Sequence, residues 1–303
     1  MRVCQNWFPN PEKPDKAGFY MDNLLKANLD ALLKNAGKKD DWDFLVLITG
    51  GGAVRVGKSV LGLQLACYWC HELERLYGMN VPFEIKENIV FHGAKLIKKG
   101  NKIGTKYPHS VLIFDEAGAD LEGVKAMKRS TQAVKDYLRE CGQYNFLTIL
   151  VLPEFFDLPK GIALSRSDFL IDCYSLADKT GKFRRGYFNF YSKPNKKHLY
   201  LRGKKELNYK AYKYDFHGRW LNFYPIDEDE YRAVKVEALK SREVMSDREG
   251  RMKEYLRGAF KYMIDTGLSY REIARVIKER TPLSTSHQYV GRIIGKEDES
   301  EED

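Results

Sequence analysis

The residues best placed to do chemistry form a glycine-rich run with an amine and a hydroxyl at its end. The run reads Gly-Ala-Val-Arg-Val-Gly-Lys-Ser and has the G-x-x-x-x-G-K-S spacing. Glycine lets the backbone curl so that successive N–H groups point at phosphate oxygens. The amine of Lys58 would reach the β- and γ-phosphates, and the hydroxyl of Ser59 would hold Mg²⁺. The motif predicts a loop that binds ATP through Gly52, Arg55, Val56, Gly57, Lys58, Ser59 and Val60.

A second chemical signal is a pair of carboxylates that ends an apolar run. Val-Leu-Ile-Phe at 111–114 is followed by Asp115 and Glu116, about fifty-five residues beyond the glycine-rich loop. This is the Walker B pattern. Asp115 would anchor the Mg²⁺ shell, and Glu116 would act as general base on the attacking water.

The elements that must position these residues are strands and helices in alternation. Apolar residues 44–48 predict a buried strand before the loop, and residues 59–68 have helical spacing after it. Further apolar strands are predicted at 111–114, 146–152 and 168–174. The alternation predicts an α/β fold, a P-loop NTPase with a mostly parallel central sheet flanked by helices. The strand at 111–114 is expected to run parallel beside the strand at 44–48.

The rest of the chain divides by composition. An N-terminal arm and helix are expected over 1–41, and the ATPase domain with a β-rich extension over 42–226. Within that extension, aromatic and basic residues predict a hairpin with its turn at 193–196, which either completes the sheet or stacks on single-stranded bases. A charged helical linker is expected over 227–251, and an acidic tail over 296–303.

Residues 252–295 have the pattern of a small helix-turn-helix domain. Ser269 and Glu272 have capping-box spacing at the start of its second helix. The third helix would present Thr285, Ser286, His287, Gln288 and Arg292 to DNA. The alternative is a three-helix module that binds protein.

Overall composition limits the classes of protein that the chain can belong to. Its 303 residues carry a formal net charge of +9 although six of the last seven residues are acidic, so the body is basic, as in proteins that bind DNA. No apolar run reaches the ~18 residues needed to span a bilayer. The N-terminus lacks the pattern of a signal peptide, and the five cysteines lack a disulfide framework. We therefore expect a cytoplasmic protein in which Cys67 and Cys70 are core residues.

With both motifs placed, residues 42 to about 176 resemble an additional-strand, RecA-like P-loop ATPase of the FtsK–HerA group of DNA translocases. Within this group the chain looks like the Zot-like and viral DNA-packaging ATPases of mobile elements. The resemblance implies a homo-oligomer, a hexameric ring that pumps DNA. It also implies a polar sensor, usually Gln, where this chain has Pro153 and Glu154. The arginine that acts in trans best matches Arg166, with Arg129 second.

The resulting hypothesis is a Mg²⁺-dependent ATP hydrolase that couples hydrolysis to the translocation, packaging or transfer of DNA. Two alternatives stay open on the sequence. One is an AAA+ replication ATPase or helicase loader. The other is a DNA-binding regulator that is switched by nucleotide. All three readings share ATP and Mg²⁺ as ligands and DNA as partner, and none requires a membrane span.

Overall fold

The computed structural model describes residues 20–53, 55–121, 129–281 and 285–294. The predicted arm before residue 20 and the acidic tail lie outside the described residues. The chain divides into two compact units, Met1–Lys235 and Val236–Asp303. We describe each unit by itself.

The first unit is built on a seven-stranded sheet of order β2-β3-β4-β1-β5-β6-β7. The first five strands in this order pair in parallel, and β6 and β7 extend the sheet in antiparallel pairing. The mostly parallel α/β sheet predicted from the sequence is therefore confirmed. The strands are β1 Phe44–Thr49, β2 Ile89–Val90, β3 Val111–Phe114, β4 Leu147–Val151, β5 Phe169–Ala177, β6 Phe183–Tyr191 and β7 Phe216–Arg219.

Strand β3 does not pair with β1, contrary to the prediction from the sequence. Strand β4 lies between them, with Leu147 in register with both Phe44 and Val111. Such an interposed strand agrees with the resemblance to the additional-strand class. Sequence order alone does not show the position of β4 in the sheet, because apolar strands of similar length can each pair with several neighbours.

Helices cover the sheet. Among the described residues, seven helices lie wholly in the first unit, along with a 3₁₀ turn at Cys141–Tyr144 and a π-helical turn at Gly161–Arg166. All six residues of β1 are buried, as expected for a parallel strand with both faces covered. The helices are α1 Asn23–Leu33, α2 Lys58–Tyr77, α3 Ile85–Asn88, α4 Gly93–Lys106, α5 Gly118–Leu121, α6 Arg129–Glu140 and α7 Lys193–Gly203.

The predicted hairpin with a turn at 193–196 is wrong. Residues Lys193–Gly203 form α7, whose first turn contains Pro194. Proline suits this position because its missing N–H would have no partner in the first turn of a helix. The hairpin joins β5 to β6 instead, with its turn closed by Asp178. The aromatic residues of β6 therefore complete the sheet.

The second unit contains three helices around a small core. Helix α8 Glu228–Asp265 begins in the first unit and is continuous across the boundary predicted between the linker at 227–251 and the domain at 252–295. Helix α9 Tyr270–Arg280 has the predicted capping box, and α10 His287–Ile294 follows. The core of the unit consists of Phe260, Ile273, Ala274 and Val290. Residues 282–284 of the predicted turn lie outside the described part.

Candidate nucleotide-binding site

The glycine-rich loop joins the carboxyl end of β1 to the start of α2. Its backbone has positive φ angles of 54° at Gly51, 74° at Gly52 and 95° at Gly57. Arg55 adopts φ 60°, which is uncommon for a residue with a side chain. The N–H of Gly52 donates to the carbonyl oxygen of Pro153 after β4, at 3.0 Å. The loop is thus tied to the neighbouring strand end.

Lys58 and Ser59 begin α2 at the mouth of this loop. The ammonium of Lys58 donates to the carbonyl oxygen of Ala53 at 2.7 Å. Burial lowers the pKa of Lys58, against the opposing attraction of Cys173, Glu116 and Asp115. The lysine therefore lies at the loop with a partly desolvated charge, which strengthens its attraction to an incoming phosphate.

The two carboxylates predicted from the sequence lie opposite the loop, at the carboxyl end of β3. Asp115 is 1% exposed, and its Oδ1 accepts a 3.1 Å hydrogen bond from the Ser59 hydroxyl. Glu116 has a half-exposed side chain and a left-handed backbone with φ 60°. Residues held in such sparsely populated conformations cluster at functional sites. The structure therefore brings together the four side chains that the motifs predict: Lys58, Ser59, Asp115 and Glu116.

Two residues at this site were missed by the sequence analysis. The hydroxyl of Tyr231 donates to Asp115 Oδ2 at 2.5 Å. The ammonium of Lys235 lies 3.2 Å from the same oxygen and 2.9 Å from Oε1 of Glu116. Burial works to lower the pKa of Lys235, but the attraction of the two carboxylates outweighs it and the pKa is raised. The only sequence signal was their spacing of four residues, which puts both on one helix face.

The loop and the carboxylate of Glu116 border one cleft of about 620 Å³. This volume falls within the range of ~300–1,000 Å³ that is usual for ligand pockets. Cationic side chains from β6 and α8 add to those of the loop, so the cleft is suited to a polyanion. Its lining comprises Arg55, Val56, Gly57, Lys58, Ser59, Val60, Glu116, Pro153, Arg185, Tyr224, Tyr231, Arg232 and Lys235.

The donor set fits a magnesium ion. Mg²⁺ prefers oxygen ligands, and it is commonly held by one or two protein oxygens together with water and substrate phosphates. Ser59 Oγ and Asp115 Oδ1 are 3.1 Å apart, and Asp115 is buried. A cation, the ammonium of Lys235, already bridges Asp115 and Glu116 in this structure. Ser59 and Asp115 are therefore the residues that would hold the metal.

A polar cluster occupies the position at which the resemblance places a sensor. Glu154 Oε1 accepts hydrogen bonds from the hydroxyl of Tyr209 at 2.6 Å and from the N–H of Phe156 at 3.1 Å. The Tyr209 oxygen also lies 3.2 Å from Oγ1 of Thr49, the last residue of β1. A Cβ on Gly52 would lie 3.7 Å from Oε2 of Glu154. Glu154 is therefore next to the loop, as a sensor would have to be.

Arg166 is not brought to the nucleotide loop of its own chain. It precedes β5 at the amino end of the sheet, where its guanidinium pairs with Asp43 and donates to the carbonyl oxygen of Leu138 at 2.6 Å. It is 15% exposed. Its role toward a neighbouring subunit stays a prediction. The side chain of Arg129, the second candidate, lies outside the described part.

The residues predicted to contact DNA lie just before α10 and along it, with Arg292 in its last turn. Ser286, His287, Gln288 and Arg292 are exposed, and Thr285 is half-buried. The hydroxyl of Ser286 accepts from the N–H of Tyr289 at 3.2 Å and so caps the helix. Four of the five side chains are therefore accessible in this unit. Their contact with DNA stays a prediction.

Two further expectations concern the cysteines and the membrane. Cys67 and Cys70 are buried in α2 and form no disulfide, in agreement with a place in the core. Within the described ranges, no three His, Cys, Asp or Glu side chains are grouped to hold a metal. Among the described helices, none combines the length and apolar character needed to cross a bilayer.

Comparisons with known proteins were made at the level of sequence and of structure. No protein-family model and no curated protein matches the sequence. One similar solved structure is the genome packaging NTPase B204 from Sulfolobus turreted icosahedral virus 2 in complex with AMPPCP. The identity is 16%, the alignment covers 52% of this chain and 95% of that chain, and the TM-score is 0.34.

Two further solved structures are also similar to this chain. B204 from Sulfolobus turreted icosahedral virus, described as a DNA-packaging ATPase, is 18% identical over 52% of this chain and 95% of that chain, with a TM-score of 0.34. The N-terminal domain of zonular occludens toxin from Neisseria meningitidis is 13% identical over 63% and 98%, with a TM-score of 0.33. The chain is similar to viral genome-packaging NTPases and to the zonular occludens toxin domain, the two kinds of protein that its motifs resemble.

Proposed function

We propose that this protein is a Mg²⁺-dependent ATPase that couples ATP hydrolysis to the translocation or packaging of DNA. The observation that carries the proposal is that Lys58, Ser59 and Glu116 line one cleft, while the buried Asp115 accepts a hydrogen bond from Ser59. Each of these side chains has the chemistry that phosphoryl transfer requires at its position.

The chemical step can be assigned to these side chains. The loop N–H groups and Lys58 bind the β- and γ-phosphates and offset the charge that develops on the transferred group. Mg²⁺ held there would neutralise part of the phosphate charge. Ser59 and Asp115 would position that ion. Glu116 would hold the attacking water in line and accept its proton.

DNA would be contacted by the second unit. The exposed Gln288 and Arg292 of α10 have donors suited to base edges and phosphates. The chain carries a net charge of +9, which favours association with a polyanion. We further propose a ring-shaped homo-oligomer of six subunits, in keeping with the motif resemblance. In such a ring an arginine from a neighbour would complete the site.

ATP hydrolysis measured with and without duplex DNA tests the coupling. We expect the rate to rise severalfold with DNA. Glu116→Gln should keep nucleotide binding but lose turnover by about 100-fold or more, as loss of a general base does. Lys58→Ala should lose binding as well. A hydrolysis rate that DNA leaves unchanged would end the coupling proposal.

The same preparation separates the alternative functions. A helicase loader would need a helicase for DNA-dependent turnover. A nucleotide-switched regulator would bind one DNA sequence tightly, and this binding would survive Lys58→Ala. Gel filtration with an ATP analogue and duplex DNA would reveal the oligomer, and a monomer under these conditions would contradict the ring.

A further inference from the structure

Asp115 is fully engaged before any metal enters. Its Oδ1 accepts from the hydroxyl of Ser59 and from the N–H of Glu116, each at 3.1 Å. Its Oδ2 accepts from Tyr231 at 2.5 Å and from Lys235 at 3.2 Å. A metal held by Ser59 and Asp115 Oδ1 would therefore meet a carboxylate whose other oxygen already contacts an ammonium.

The ammonium of Lys235 contacts both carboxylates of the site. It lies between Asp115 and Glu116, within 3.2 Å of a carboxylate oxygen on each. Two convergent carboxylates repel each other in a partly buried site unless a cation lies between them. An ammonium is a compact charge with three donors, so one lysine can meet both groups.

The two donors from α8 differ in their freedom to move. Tyr231 is 3% exposed, and its ring packs against Phe91 and Tyr224. Lys235 has a 26% exposed side chain on a flexible four-carbon stem and borders the open cleft. Displacing Lys235 requires only a rotamer change, whereas displacing Tyr231 requires repacking of the core. Of the two donors from α8, Lys235 is therefore the one that a metal ion could displace.

We propose that Lys235 is a resident counter-ion of Asp115 and Glu116 that competes with Mg²⁺ for this carboxylate pair. In the metal-free protein the ammonium holds the two carboxylates together. A Mg²⁺ ion at Oδ1 would share the carboxylate with the ammonium at Oδ2, and repulsion between the two cations would favour release of the ammonium from Asp115. Lys235 is thus a positioning residue that sets the Mg²⁺ concentration at which the site becomes loaded. This inference rests on the proposed function, in which Asp115 serves the metal.

The first experiment uses the metal alone, without nucleotide. Thermal unfolding of the full chain is followed over a Mg²⁺ titration for the wild type and for Lys235→Met. We expect the variant to be less stable without Mg²⁺, and its half-maximal stabilisation to need at least about fivefold less Mg²⁺, the lower range of a typical coupling between sites. Lys235→Gln serves as a second neutral variant if the methionine does not fold.

Two matched variants separate charge from other effects. Lys235→Arg keeps the positive charge and should retain a wild-type Mg²⁺ requirement. Lys240→Met removes one charge from the exposed face of the same helix and should leave the requirement unchanged. Equal Mg²⁺ dependence in the wild type and Lys235→Met would overturn the proposal. A shift with Lys235→Arg as large as that with Lys235→Met would do the same.

A second titration distinguishes this proposal from the proposed function. Binding of a fluorescent, non-hydrolysable ATP analogue is measured against Mg²⁺ concentration for the same variants. A lower Mg²⁺ requirement for Lys235→Met than for the wild type supports the competition. Wild-type protein that binds no analogue at any Mg²⁺ concentration would overturn the ATPase proposal, and with it the assignment of Asp115 to the metal. Normal analogue binding with identical Mg²⁺ curves would overturn the competition alone.

Discussion

The ammonium of Lys196 in α7 donates a hydrogen bond to the carbonyl oxygen of Ser167, 2.5 Å away, and both residues are completely buried. Burial lowers the pKa of Lys196 to about 7, although the nearby Asp168 favours the charged form. A protonated Lys196 therefore lowers the free energy of unfolding of the chain.

This lysine should give stability a measurable dependence on pH. Between pH 7 and the unfolded value near 10.5, the unfolded chain binds one more proton than the folded chain at this site. The free energy of unfolding from this group therefore rises with pH by up to about 1.4 kcal/mol per unit. We expect Lys196→Met to be more stable at pH 7 and to lose this slope, as measured by urea unfolding at pH 7, 8 and 9. The exposed Lys193→Met is the control, and an unchanged slope in Lys196→Met would contradict the prediction.

Asp172, in the middle of β5 and in register with Thr49 at the end of β1, should produce the opposite slope. Burial, followed by repulsion from Glu154, raises the pKa of this carboxyl to about 7, against a hydrogen bond from Asn189 and the charge of Lys58. Between pH 4 and 7 the folded chain binds the extra proton, so stability falls as pH rises. In the wild type the free energy of unfolding should fall by up to about 1.4 kcal/mol per pH unit between pH 4 and 7 because of this group, and Asp172→Asn should remove this dependence. Asp157→Asn, at an exposed position, should not.

Gly57 at the end of the nucleotide loop should tolerate no side chain. Its φ is 95°, and a Cβ would lie 2.2 Å from the indole of Trp220. Gly78, after α2, has φ 60° with no atom within 4 Å of the same position. We expect Gly78→Ala to cost about 1 kcal/mol from backbone strain alone. Gly57→Ala should cost more and abolish binding of an ATP analogue. Equal losses of stability would show that the Trp220 contact is unimportant.

Arg292 tests the role of α10 in DNA binding. If its guanidinium meets a phosphate, Arg292→Ala should weaken binding to all duplex sequences and reduce the slope of log K against log salt by about 1. Lys34→Ala removes an exposed charge from α1 and serves as control. Fluorescence anisotropy with labelled DNA at several salt concentrations gives both numbers. An unchanged salt slope in Arg292→Ala would remove this residue from the interface.

The nucleotide loop and its carboxylates could be predicted because they are local. Residues that must cradle a phosphate follow one another along the chain, and apolar runs reveal the strands that carry them. Tyr231 and Lys235 could not be predicted in the same way. They lie 116 and 120 residues beyond Asp115, in a charged segment whose composition is that of a solvated helix face. Only tertiary packing reveals their contact.

The strand order shows the same limit. Parallel neighbours are chosen by crossover geometry, which the sequence does not record, so β4 was not placed between β1 and β3. The predicted hairpin at the end of the sheet is wrong for a different reason. Pro194 was read as a turn residue, but it occupies the first turn of α7, and β6 pairs with β5 along nearly its whole length. The local signal at Pro194 shows that a new element begins there, but it does not show that this element is a helix.

The packing of Trp220 over Gly57 gives the protein a natural optical reporter. Trp220 is 4% exposed, and its emission should respond to any rearrangement of the loop below it. Trp42 is largely exposed and Trp69 is fully buried under β1, so their spectra differ from it in predictable directions. A chain with phenylalanine at positions 7, 42 and 69 would report loading of the loop in real time without an attached dye.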